Sequence, residues 1–210
     1  MTFFPQGATA QTGEDFFKKE GFLVDGMVPL VTNSTTIGAF DDSDGTALTI
    51  TDSVAKSAAG AAASWAGWDL AASKTKLLAI AYVHPSTSNY VGVGFNVSTL
   101  PATTLVDSYE ATFDGAGGHS ELAKYVSGGL TALQTDTTIF QNDVVTTAVW
   151  GIALYVEADS IQKVFVKSGT ANWLPVLTDT DADHSSFQSV YLRHYGESAR
   201  FITPIMVWGS

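Results

Sequence analysis

The sequence predicts an all-β protein, an antiparallel β-sandwich of jelly-roll type with an extended N-terminal arm. Roughly ten strand-like segments recur at about 10–20-residue spacing, separated by turn signals such as Asp44-Gly45, Asp114-Gly115 and Gly128-Gly129. They do not alternate with helical patterns, as a parallel sheet requires. From Thr146 to Ser210 the segments TTAVWGIALYVEAD, SIQKVFVKSG, FQSVYLRHYG and ARFITPIMVWGS are apolar on both faces. Such strands need cover on both faces, from a second sheet or from another subunit.

Residues 1–35 read as an arm. Phe3, Phe4, Phe16, Phe17 and Phe22 are strung along a segment broken by Pro5, Gly7, Gly13, Gly21, Gly26 and Pro29. Glu14 to Glu20 suits one or two helical turns. These rings need something to pack against, either the domain's own sheet or a neighbouring subunit gripped by the arm. The domain proper is then 36–210.

Strand character begins near Thr35, and Thr46 to Thr51 alternates. The Ala-rich stretch Val54 to Trp68 reads as a short helix or as a loop packed by Trp65 and Trp68. Gly60 and Gly67 weaken the helix, since interior glycine costs about 1 kcal/mol relative to alanine. Lys76–His84 and Asn89–Val97 are strands joined by Pro85-Ser86-Thr87-Ser88. In the second, Val91, Val93, Phe95 and Val97 share a core face, and Tyr90, Gly92, Gly94 and Asn96 share the other. Glycines inside a strand mark close approach of another backbone or a ligand. Thr103–Phe113 is another strand, followed by a Gly-rich loop, Asp114 to Glu121. Pro204 cannot donate to a central ladder, which puts the last strand at an edge or a bulge there.

Composition narrows the function. Hydrophobic content is 45% and charged content 15%, the latter well below the ~25% of typical soluble domains. The sequence is thus globular, with a surface rich in Thr and Ser or partly hidden by neighbours. Ten Lys and Arg stand against 21 Asp and Glu, for a formal net charge of −11. The basic residues are scattered, the tightest pair being Lys18-Lys19, so no nucleic-acid partner is expected. No cysteine is present, which excludes disulfides, thiolate metal sites and cysteine nucleophiles. Residues 1–19 show no secretory signal pattern and no stretch has the length of a membrane span, so the expectation is a protein made in a cytoplasm and not inserted in a membrane.

No complete catalytic set is visible. Glu157-Ala158-Asp159 begins like the acidic strand of a laminarinase-type glycosidase, but Ser160, Ile161 and Gln162 follow where the third acid is needed, and a polar hairpin turn accounts for it. The histidines, His84, His119, His184 and His194, have no serine elbow to serve, and His119-Ser120-Glu121 reads as surface loop. Asp179, Asp181 and Asp183 alternate like the first half of a calcium loop, but His184 and Val190 occupy the positions of its glycine and glutamate. Asp41-Asp42-Ser43-Asp44-Gly45 is similarly incomplete. No catalytic, cofactor-binding or metal residues are assigned. The triplets at Asn33 and Asn96 match glycosylation acceptors by chance. Carbohydrate binding has better material, in Tyr90 with Asn96 across the Gly92/Gly94 face, Trp173, or the Tyr191/Arg193/Tyr195 face, although core or interface packing is the preferred reading of these aromatics.

The succession of Trp150–Val156, a polar turn, SIQKVFVKSGTANWLPV, FQSVYLRHY and FITPIMVWG resembles the concanavalin A-like or laminin G-like jelly rolls of accessory proteins and fibre domains in tailed-phage virions. The likeness covers about residues 76 to 210. It implies a two-sheet sandwich, often oligomeric, displayed on a capsid or tail and assembled in a host cytoplasm. It transfers no sugar or calcium residue, because no motif matches. The function expected is therefore that of a non-enzymatic virion structural protein, a capsid decoration or accessory subunit. Its partners would be other capsid or tail proteins and copies of itself, with Phe3, Phe4, Phe16, Phe17 and Phe22 as the partner-binding residues. The alternative is a glycan-binding, lectin-like module of a tail fibre that meets a host-surface glycan.

Overall fold

The computed structural model describes residues 13–32, 38–41, 48–51, 54–57, 63–84, 90–99, 107–114, 118–138, 149–168, 171–195 and 200–210. The N-terminal elements are α1 (Gly13–Lys19), β1 (Val28–Thr32), β2 (Gly38–Asp41), β3 (Leu48–Thr51) and β4 (Val54–Ser57). Next come β5 (Ala63–Lys74), β6 (Lys76–His84), β7 (Tyr90–Asn96), β8 (Ser108–Asp114), β9 (His119–Val126) and β10 (Gly129–Asp136). The chain closes with β11 (Trp150–Glu157), β12 (Ile161–Ser168), β13 (Leu174–Asp179), β14 (Phe187–Tyr195) and β15 (Arg200–Gly209). They form an all-β sandwich of two antiparallel sheets. One runs β13-β12-β11-β6-β15-β4-β3, with β1 also paired to β15; the other runs β10-β9-β8-β7-β14-β5-β2.

The two-sided strands find both covers inside the chain. On β11, Trp150, Ile152, Leu154 and Val156 point inward, meeting Leu77, Ala79, Val91, Val93, Phe95 and Phe113 in the core between the sheets. Ala153 and Tyr155 point outward into a second core with Leu78, Ile80, Phe165, Trp173 and Trp208. That second core is roofed by Phe17 and Leu23, with Phe16, Phe22 and Met27 at its margin. Burying each such large side chain is worth about 1.5–3 kcal/mol, so the N-terminal segment is held by contacts that these strands would otherwise leave wet.

Local chemistry shapes that roof. Glu14 and Asp15 lie in the first turn of α1 and Lys18 and Lys19 in the last, each sign matched to its end of the helix dipole. Gly21 follows with φ +77°. The Phe22 N–H donates to the Phe17 carbonyl (2.9 Å) and the Gly21 N–H to that of Lys18 (3.2 Å), the two bonds of a Schellman cap. This stop turns Phe22 back over the sheet, its ring 4.8 Å from Phe165 and 5.1 Å from Tyr155 between centroids. Phe17 has no exposed surface and lies 5.1 Å from Phe165 and 5.3 Å from Trp173. Of the two packing partners open to the arm, Phe16, Phe17 and Phe22 thus engage the chain's own sheet; Phe3 and Phe4 lie outside the described residues.

One expectation changes and another is narrowed to one of its alternatives. The stretch from Val54 forms strands β4 and β5 where a helix or loop was expected. Pairing of β5 with β14 over Trp65 to Trp68 and with β2 on its other side overrides the helix preference of its alanines. The final strand, β15, sits inside its sheet between β6 and β4, and accommodates Pro204 through a register shift between Ile202 and Met206, the bulge the proline called for.

Candidate functional site

The outward face of the seven-stranded sheet carries the densest polar construction among the described residues. Alternation sets it up. Val91, Val93 and Phe95 of β7 belong to the core, which turns Tyr90, Gly92, Gly94 and Asn96 to the other side. Pairing registers then place Gly94 beside Tyr191 and Glu110, and Gly92 beside Arg193 and Thr112. A Cβ on Gly94 would stand 2.6 Å from Cε1 of Tyr191, and one on Gly92 would collide with the Ala111 carbonyl and the Thr112 side chain. The glycines clear a trough over β7, so side chains of β14 reach across it to β8. What approaches them closely is a tyrosine and a neighbouring strand.

Within the trough, Tyr191 donates to Glu110 Oε2 (3.0 Å) and Arg193 Nη1 to Glu110 Oε1 (2.8 Å). Arg193 also bonds the Tyr125 hydroxyl and, through Nη2, that of Tyr90 (3.0 Å), while Ser108 Oγ meets Tyr191 OH at 3.2 Å. The guanidinium stacks 4.6 Å from the Tyr90 ring centroid and 5.7 Å from that of Tyr125, a favourable cation–π geometry. The Glu110 side chain is 1% exposed and that of Arg193 12%. Burial and then the Glu110 charge drive the Tyr191 and Tyr125 phenols well above the usual tyrosine range. Burial pulls Arg193 down, but Glu110 and the neighbouring phenols outweigh it and hold its proton more firmly than usual. Both carboxylate oxygens of Glu110 are occupied, so this network is a rigid floor and not an acid–base catalyst.

Above the floor, at one end of the trough, a row crosses three strands: Tyr90 pairs with Asp114, and Asp114 with His119. His119 Nε2 lies 3.8 Å from Asp114 Oδ2 and 3.6 Å from Glu121 Oε2, with side-chain exposures of 20% for His119 and Glu121 and 30% for Asp114. Burial raises the Glu121 carboxyl above its ordinary value, against the opposing pull of His119. Sequence reading took His119 to Glu121 for loop. They begin β9, and the missed signal is the HSELAKYV alternation that puts His119 and Glu121 on the face opposite Leu122.

The remaining sequence candidates serve structure. Asp181, in the half calcium loop, accepts from Tyr109 (2.5 Å) and pairs with Lys124, which also reaches Asp183 (2.5 Å). The Gln162 amide brackets the Asp181 backbone, donating to its carbonyl (2.8 Å) and accepting from its N–H (3.0 Å). Lysine and phenol occupy the oxygens a cation would use. Among the described residues no His, Asp and Glu side chains converge in a geometry that would hold a metal ion; most of the 41–45 loop lies outside them. Glu157 closes a hairpin turn, bonded to Tyr155 (3.0 Å) and paired with Lys76 (3.2 Å). Trp173 is 4% exposed, packed on Gly151 under Phe17, so it cannot stack a sugar. Asn96 is fully buried, which closes its glycosylation triplet, and His184 is buried with Nε2 2.8 Å from the Tyr125 carbonyl. Tyr195 lies in β14, and its side chain is outside those described. No described helix is long and apolar enough to cross a membrane.

The fold is that of galectin- and concanavalin-like jelly rolls. Solved structures sharing it include the carbohydrate-binding module CBM66 from Bacillus subtilis, at 13% identity, TM-score 0.55, over 88% of this chain and 96% of that one. The VIP36 exoplasmic/lumenal domain in its Ca2+/Man3GlcNAc-bound form superposes with TM-score 0.61 at 10% identity, over 87% of this chain and 88% of that one. The CBM2 module of the evolved Dit of Lactobacillus casei BL23 phage J-1 does so with TM-score 0.50 at 10% identity, over 88% and 90%. At such identities the likeness is one of fold. No protein-family model matches the sequence, and no curated protein matches it.

Proposed function

We propose that the chain is a non-enzymatic glycan-binding module whose site is the outward face of the seven-stranded sheet. The observation that carries this reading is the placement of a half-buried aromatic ring, Tyr90, in line with Asp114 and His119 and one row from Glu121, over a floor locked by Glu110 and Arg193. Sugar recognition needs an apolar ring face for C–H groups and fixed acceptors for hydroxyls on a rigid support. The carbohydrate-binding module from Bacillus subtilis and the mannose-oligosaccharide complex of VIP36, both on this fold, support it. A glycan array followed by calorimetry tests it: binding is expected to fall at least tenfold in Tyr90→Ala, a loss of about 1.4 kcal/mol. Hydrolysis of a bound oligosaccharide would replace the binding role with a catalytic one.

A second reading concerns where such a module works. The phage J-1 Dit module supports a place on a virion, as a tail or capsid accessory protein beside other virion subunits and copies of itself. Quantitative mass spectrometry of purified particles tests this. A fixed simple ratio to the shell protein indicates decoration, a few copies indicate a tail component, and absence removes the virion role.

A further inference from the structure

We infer that the free edge of β10 pairs antiparallel with β10 of a second copy and joins the two seven-stranded sheets into one. An unpaired strand edge is a row of free N–H and C=O groups that invites another strand, and folded proteins blunt it with shortness, proline or charge. Among the described strands, β1, β2, β3, β10 and β13 are paired on one side only. Four of these edges are blunted: β2 and β3 have four residues each, and β1 and β13 carry Pro29 and Pro175. β10 has neither device. It runs for eight residues, GLTALQTD, without proline, lysine or arginine, and six of the eight are exposed. Leu130 is 51% exposed, and Val126 just ahead of the strand 44%.

The strand's own bulge makes it complementary to itself. Pairing with β9 sets Leu130 beside Tyr125 and Ala132 beside Ala123 on the outward face, and Thr131 beside Lys124 on the inward one. The register then slips by one between Ala132 and Gln134, so Gln134 follows the core residue Leu122 inward and Thr135 follows Glu121 outward. Residues directly opposite in an antiparallel pair share a face. About a two-fold axis between Ala132 and Leu133, Leu130 therefore meets Thr135 of the second copy outward, and Thr131 meets its Gln134 inward. Without the bulge the same register would set outward residues against inward ones. Charge agrees. Each chain carries −11, so a contact between copies needs an uncharged seam, and the strand's acid, Asp136, falls opposite Gly129 and not opposite its own copy. The axis stands perpendicular to the sheet, so the Tyr90 rows of both copies face the same side and meet one surface together.

Sedimentation of the full chain across a concentration series is expected to show a species of twice the 22.2 kDa monomer mass. Leu130→Glu with Thr135→Glu sets like charges opposite each other in this register, and is expected to weaken the dimer by about tenfold or more. Leu130→Glu with Thr135→Lys sets opposite charges there and is expected to keep it. Both positions are exposed, and an unchanged circular dichroism spectrum separates lost pairing from lost fold. Because the chain has no cysteine, Ala132→Cys supplies a single thiol beside the axis. It is expected to form a disulfide-linked dimer on mild oxidation, whereas Val24→Cys, exposed in the turn after α1, is not. A monomer at every concentration overturns the inference. So does a dimer that both charge variants affect alike, or one that Val24→Cys cross-links and Ala132→Cys does not, since its interface then lies elsewhere.

Discussion

The ring of Tyr191 occupies the space that a side chain at residue 94 would fill, which is why β7 carries glycine there. A Cβ on Gly94 would sit 2.6 Å from Tyr191 Cε1, and the ring cannot retreat because its hydroxyl is bonded to Glu110 and faces Ser108. Gly94→Ala is therefore expected to destabilise by about 1–3 kcal/mol, the usual cost of overpacking. Urea unfolding measures it. Pairing the change with Tyr191→Ala should recover part of the loss by removing the collision, and no recovery would mean that the clash is absorbed elsewhere.

Glu110 and Arg193 make a buried ion pair whose two halves are unequal in consequence. Glu110→Ala strands a guanidinium that is 12% exposed, and breaking a buried pair in this way costs about 3–5 kcal/mol. Replacing both, Glu110→Leu with Arg193→Met, should restore most of that stability while lowering any sugar affinity, because the floor under Tyr90 loses its fixed donors. Stability from denaturant titration and affinity from calorimetry separate the two effects.

Phe17 ties the N-terminal segment to the outer face of the eight-stranded sheet. It is fully buried among Phe165, Trp173 and Phe22, and Phe17→Ala is expected to cost about 3–5 kcal/mol. Hydrogen exchange should show α1 opening first, with protection in β7 and β8 unchanged. Uniform loss of protection would show that the segment folds as one unit with the sandwich.

Asp181 gives stability a dependence on acid. Burial pushes its carboxyl up, but the bonds from Lys124, Tyr109 and the Asp183 N–H outweigh it and leave it below the ordinary value. A carboxyl depressed in the folded state contributes its stability in full above its unfolded pKa of about 4 and loses it as pH falls through the lower folded value. Asp181→Asn should thus be less stable than the native chain at pH 7, by about 1–3 kcal/mol. The gap should narrow toward pH 2, and a gap independent of pH would assign the effect to packing alone.

Much of the sandwich was legible because strand signals are local. The alternation of Val91, Val93 and Phe95, the two-sided runs at β11 and β12, and the demand of Pro204 for an edge or a bulge can all be read from neighbouring residues; that it is a bulge inside the sheet is decided by pairing. The Ala-rich stretch at β4 and β5 misled because alanine favours helix locally, and only pairing with β14 and β2 makes it strand. Gly92 and Gly94 announced a close approach without saying by what. The row of Tyr90, Asp114 and His119 was not legible, since it joins residues of three strands through register, and register is set by pairings across the sheet.

The sequence by itself determined that this is an acidic, cysteine-free β protein with strands that need cover on both faces. It also left no motif for a complete catalytic set. Tertiary structure decided which cover they take, since the segment bearing Phe17 and Phe22 roofs the outer face and leaves that surface to the chain itself. It also decided that Lys124 would neutralise the acidic loop, that Arg193 would answer Glu110, and that His119 would stand beside Asp114 and Glu121 on the outward face. Charge compensation acts over a few ångströms in space, between residues dozens of positions apart, and no pattern along the chain records it.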